Sequence, residues 1–185
     1  MREIDFHSQV EAKFTPTGHR RPVHSPRDYE QPDVDTEKFY TIELSFQGQG
    51  RTEVPDLSEY VNLEFLDLED NKLKSLYGMP KELPSLEWLN LDGNQLGSLY
   101  GMPKELPNLK ELGLRFNRLE SLYGMPKELP SLEWLDLVGN RLESLDGMPK
   151  ELPSLKELNI DSDQIDTSDP YLQELRKRGV IITYD

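Results

Sequence analysis

Residues 86–108 read LEWLNLDGNQLGSLYGMPKELPN, and residues 132–154 read LEWLDLVGNRLESLDGMPKELPS; the two stretches agree at 17 of 23 positions. Copies begin at Leu63, Leu86, Leu109, Leu132 and Leu155 on the shared pattern LxxLxLxxNxLxSLxGMPKELPx. Self-similarity at a fixed period of this length marks a solenoid of stacked units rather than a closed globule. Within each copy, Leu66 and Leu68, and their equivalents 89/91, 112/114 and 135/137, alternate as a short strand with one face turned inward. Leu63, Leu73, Leu76 and Leu83 point to the same interior once the chain has turned. One unit is too small to hold a core, so stacking buries these leucines, each contributing roughly 1.5–3 kcal/mol when fully buried.

Asn71, Asn94, Asn117 and Asn140 recur where the strand must turn. An amide donates and accepts, so a column of them can join the backbones of successive turns in a ladder. Asp163 stands in that place in the fifth copy and marks the last coil. The segment GMPKELP recurs from Gly78, Gly101, Gly124 and Gly147. Its two prolines forbid an ordinary helix, which predicts extended or short 3₁₀ structure with Met79 and Leu83 inward and Lys81 and Glu82 outside.

The runs LEFLDLEDN, LEWLNLDGN, LKELGLRFN and LEWLDLVGN resemble the signature LxxLxLxxN of the leucine-rich repeat family. The resemblance covers about residues 39–163. It implies an α/β leucine-rich repeat solenoid: a short curved horseshoe with a parallel β-sheet on the concave face and a 3₁₀ or extended convex side. The family includes intracellular regulators, pathogen effectors and extracellular receptors; the lack of cysteine-rich caps resembles the intracellular members.

The ends differ from the repeats. Phe39-x-x-Ile42-x-Leu44-x-x-Gln47 fits the signature 24 residues before Leu63, with Gln in the Asn position. Residues 37–62 are therefore expected to form a degenerate first repeat and N-terminal cap, with Val54, Leu57 and Tyr60 on its inner face. Residues 63–163 hold the repeats, and 164–185 a C-terminal cap of helix and strand. In that cap Asp169 and Pro170 start the helix, Leu172 and Leu175 give its apolar side, and Gly179 stops it. Residues 1–36 carry all three histidines and four of the 14 prolines. For this arm three readings stay open: loose structure, an extension docked on the cap, or a peptide ligand for another protein.

The chain has 185 residues, a formal net charge of −14 and no cysteine. Disulfide scaffolds, thiol catalysis and cysteine-ligated metals are thereby excluded. The negative balance argues against nucleic acid and anionic membrane, since such binding rests on clustered Lys and Arg. No apolar run reaches membrane-span length and no signal peptide is evident, so a cytoplasmic chain is expected. The charge also favours a monomer.

Sequence signals for catalysis are missing. His7, His19 and His24 lack ligand spacing, and no HExxH, nucleophile elbow or phosphate loop occurs. Asp161, Asp163, Asp166 and Asp169 fail the calcium-loop pattern because Ile165 and Asp166 occupy its fifth and sixth places. No catalytic residue, metal ligand or cofactor is expected.

The informative surface is the concave face. Strand alternation predicts three columns: Thr41, Phe65, Trp88, Glu111, Trp134, Glu157; then Glu43, Asp67, Asn90, Gly113, Asp136, Asn159; then Ser45, Glu69, Asp92, Arg115, Val138, Asp161. Both tryptophans fall in the first, on a face expected to meet solvent, and exposed aromatics are enriched at protein interfaces. Asp67, Glu69, Asn90, Asp92, Glu111 and Asp136 make the field negative. Arg115 beside Phe116 interrupts it, and Gly113 is expected to leave a gap beneath Arg115. The expected function is a non-catalytic module binding a basic or mixed-charge protein or peptide there. The alternatives are a structural or regulatory accessory acting through the N-terminal arm, and a glycan-binding module.

Overall fold

The computed structural model describes residues 41–161 and 165–184. Seven parallel strands lie side by side in chain order: β1 (Glu43–Ser45), β2 (Phe65–Asp67), β3 (Trp88–Asn90), β4 (Glu111–Gly113), β5 (Trp134–Asp136), β6 (Glu157–Ile160) and β7 (Ile181–Tyr184). Each is one rung of a solenoid. From β2 to β6 the pairing advances one repeat per strand, with Leu66, Leu89, Leu112, Leu135 and Leu158 in line. All five are fully buried, and the repeated leucines with Met79, Met102 and Met125 fill one continuous core. The return legs are turns without regular helix. They hold together through bonds such as the Ser131 and Ser154 hydroxyls donating to the Pro107 and Pro130 carbonyls, both at 2.6 Å.

The asparagine ladder is present. Asn94 Nδ2 donates to the Leu68 carbonyl of the preceding coil (2.9 Å) and the Leu91 carbonyl of its own (3.1 Å), while its Oδ1 accepts the Leu73 amide (3.0 Å). Asn117 repeats this with Leu91, Leu114 and Leu96, and Asn140 with Leu114, Leu137 and Leu119. Each amide pairs backbone groups that the turn would otherwise bury unpaired. Asp163 lies outside the described residues. Asp161 closes this end, its carboxylate accepting the amides of Gly139 (3.0 Å) and Asn140 (3.3 Å).

The first coil departs from the expected register. Leu44 pairs with Leu66, a spacing of 22 residues rather than 24, so Phe46 takes the inward place of Leu68 and Ile42 is exposed. The carbonyl positions explain the choice: in this register Phe46 O meets Asn71 Nδ2 at 2.9 Å, and the Ile42 carbonyl accepts the Glu64 and Phe65 amides at 2.8 Å. Gln47 does not extend the ladder; its side chain donates to Glu69 instead (3.0 Å). Leu57 is buried, with Val54 and Tyr60 packed against the core. Residues 1–40, including the arm at 1–36, lie outside the described residues.

At the other end, helix α1 (Pro170–Lys177) is capped by the Asp169 carboxylate, which accepts the Tyr171 (2.7 Å) and Leu172 (3.3 Å) amides. Its buried Leu172 and Leu175 cover the last coil. The chain leaves through Gly179 at φ 84, a conformation that favours glycine, and enters β7. Arg176 and Arg178 bond Tyr184 and the Leu152 carbonyl, so these cations tie the cap down.

The ladder predicts a site-specific cost. Asn117→Ala should lower the unfolding free energy by about 2–4 kcal/mol, because it strands several buried backbone groups. Asn108→Ala, which removes one exposed bond to the Pro84 carbonyl, should cost less than about 1.5 kcal/mol. Urea unfolding of the two variants measures the difference.

Candidate functional site

With the register corrected, the first concave column is Glu43, Phe65, Trp88, Glu111, Trp134, Glu157 and Ile181, and the second is Ser45, Asp67, Asn90, Gly113, Asp136, Asn159 and Thr183. The second column is not the open negative field that alternation suggested. Asp67, Asn90, Asp136 and Asn159 are all buried. Three of them fold back as caps on their own strand ends: Asp67 Oδ1 accepts the Glu69 amide (3.0 Å), Asn90 Oδ1 the Asp92 amide (3.0 Å) and Asp136 Oδ1 the Val138 amide (3.1 Å). Residue types that read as ligand contacts thus satisfy backbone donors.

Nor does Gly113 leave a gap. It has no side chain to cap its strand, so Asp92 of the preceding coil crosses over and accepts the Arg115 amide at 2.7 Å. A Cβ at Gly113 would lie 2.8 Å from Asp92 Oδ1 and 2.9 Å from Asn90 Oδ1, so the space is filled. Arg115 in turn reaches Asp136, Nη1 to Oδ2 at 3.2 Å, where Asn159 Nδ2 also donates at 3.2 Å. Burial raises the Asp136 carboxyl pKa, with Arg115 and these hydrogen bonds pulling it back. Burial also raises Asp92, to about 7, with the Arg115 amide opposing and the charges of Asp136 and Glu69 adding. Glu69 is raised as well, by burial and by Asp67 and Asp70.

The aromatics divide. Trp88 is only 7% exposed, so solvent does not reach it as expected; it stands in register between Phe65 and Glu111. Phe65 and Trp134 are half-buried, as are Glu69, Asp92, Glu111 and Arg115. Phe116 is 61% exposed. Its backbone sits at φ 51, a left-handed conformation costing a non-glycine residue roughly 1–2 kcal/mol. Asp70 (φ 54), Gly93 (φ 65) and Gly139 (φ 74) hold the equivalent places, so the turn imposes that geometry on all four coils from Leu63 to Leu132. The alternation has a steric reason, since a Cβ on Gly139 would meet the Phe116 ring at 2.5 Å. The Arg115 guanidinium lies 5.3 Å from that ring's centroid.

Sequence reasoning passed over one surface. Tyr77, Tyr100 and Tyr123 form an exposed stripe on the return legs, and their 23-residue spacing was the available signal. Among the described residues no group of His, Asp and Glu is placed to hold a metal ion, and no helix is long and apolar enough to cross a membrane.

Comparison with known families agrees with the geometry. Residues 101–142 match the model described as leucine rich repeat, and residues 130–173 the model described as two copies of leucine rich repeats. No curated protein matches the chain. The chain is a leucine-rich repeat protein. Such domains generally mediate protein–protein interaction and are typically non-catalytic.

The raised Asp92 pKa makes stability depend on pH. The native state holds this proton up to about pH 7, whereas the unfolded chain releases it near 4. Between those values the native state binds more protons, so stability falls as pH rises through the window, and the full cost is present above it. Asp92→Asn keeps an acceptor for the Arg115 amide without the charge. It should raise the melting temperature at pH 8 by at least about 2–4 °C and flatten the decline between pH 5 and pH 8, as followed by thermal denaturation.

Proposed function

We propose that this chain is a non-catalytic binding module that takes a basic or mixed-charge protein or peptide segment on its concave face, anchored by Phe116 and Trp134. The observation that carries this reading is Phe116. A large apolar ring stands in solvent on a backbone conformation that favours glycine, at a position where two of the four coils do carry glycine. The ring has the Arg115 guanidinium 5.3 Å from its centroid yet stays largely in solvent, and strain retained at a surface position points to use. Glu111 and Glu157 flank Trp134 in register, and Glu69 and exposed Asp70 extend the negative surface. A basic segment is steered to such a face and held by the rings. Trp88 leaves the list of contacts because it is buried. On its cysteine-free, acidic sequence we read the protein as a cytoplasmic monomer.

Phe116→Gly separates function from folding. It should stabilise the protein by about 1 kcal/mol by relieving the left-handed strain and should weaken binding. Selection of a random peptide display library on the immobilised protein is expected to enrich sequences combining Arg or Lys with an apolar residue. That enrichment should fall on Phe116→Gly and at high salt. Equal enrichment on parent and variant would remove the concave face from the account.

A further inference from the structure

We propose a second docking surface, independent of the concave face: the tyrosine stripe of the return legs, which fits a basic, proline-rich extended segment of a partner protein. Tyr77, Tyr100 and Tyr123 are 70%, 54% and 52% exposed. Asp146 occupies the same place in the next coil and is also exposed, so the fold does not require an aromatic ring there. Beside the stripe an open groove of about 770 Å³ runs between two coils, lined by Tyr100, its one aromatic, by prolines and methionines, and by Lys104, Glu105, Lys127 and Glu128, whose charges cancel.

The platform is rigid. The Tyr100 carbonyl accepts the Leu76 amide (3.3 Å), the Tyr123 carbonyl the Leu99 amide (3.1 Å) and the Asp146 carbonyl the Leu122 amide (2.8 Å). The glycines after Tyr100 and Tyr123 let the coils close up: a Cβ on Gly101 would lie 2.5 Å from the Leu76 carbonyl carbon and one on Gly124 2.3 Å from that of Leu99. The backbone positions that carry the rings are therefore held in line, one per coil.

These constraints select the occupant. Because the carbonyls of Tyr100, Tyr123 and Asp146 are already engaged, a partner at this end is recognised by the rings and not by adding a strand. Aromatic-lined grooves suit polyproline II segments, whose backbone needs no internal hydrogen bonds and whose carbonyls are free to accept from phenol hydroxyls. Charge then sets composition and direction. The exposed column three residues upstream of the stripe reads Lys74, Gly97, Glu120 and Glu143, and the stripe itself ends on Asp146. An extended segment is complementary when its Arg or Lys residues lie over the Tyr123–Asp146 end.

A fluorescein-labelled peptide of three Pro-Pro-Arg triplets, titrated into the whole protein and followed by anisotropy, tests this. The parent should bind it, and the doubly substituted Tyr100→Ala, Tyr123→Ala form should bind about tenfold more weakly with an unchanged melting temperature, since both rings are exposed. Charge reversal by Glu120→Lys with Glu143→Lys should also weaken binding, and replacing every peptide proline by alanine should reduce it. No binding by the parent, or equal binding of the proline-free peptide, would overturn the proposal. Binding that survives loss of the tyrosines but fails in Phe116→Gly would also overturn it, by placing the peptide on the concave face.

Discussion

Each coil turns inward immediately after its strand, and that turn buries carbonyls and amides no sheet can pair. One asparagine per coil meets the need by donating backwards and within its own coil while accepting from the coil before. Because the bonds run between neighbours, the amide fixes the offset of one coil on the next as well as satisfying the turn. The alignment of leucines into a core, of strands into a sheet and of tyrosines into a stripe all depend on that offset. Where the repeat degenerates at β1, the register follows the carbonyl that Asn71 can reach, even though this exposes Ile42.

Much of the concave face answers to the same demand for satisfied backbone. Asp67, Asn90 and Asp136 cap the ends of their own strands, and where Gly113 cannot, Asp92 does so from the neighbouring coil. Three carboxylates here, Glu69, Asp92 and Asp136, have raised pKa values, and Arg115 joins the last two. Burial dominates the upward shifts, so this part of the face costs stability when ionised.

What remains available to a partner is narrower than the residue types suggest. On the concave side it is the exposed Phe116 with half-buried Trp134, Glu111 and Arg115; on the return legs it is three tyrosines on a hydrogen-bonded base. Both sets share one property: the backbone beneath is fixed by the ladder before any ligand arrives. A partner on either surface would meet a preformed backbone, so only side chains would remain to be ordered.

The sequence by itself determined the solenoid, because a 23-residue period with leucines at strand alternation and one asparagine per turn has few other ways to bury its apolar groups. It also determined the terminal helix, through Asp169, Pro170 and Gly179. The tertiary structure alone decided which face residues meet solvent, since alternation assigns a side chain to a face but not what its neighbours cover. Asp92 fills the place Gly113 leaves, and Phe116 stands out because Gly139 makes room beneath it. These outcomes depend on contacts between residues about 23 positions apart in different coils, and a pattern within one coil does not contain them.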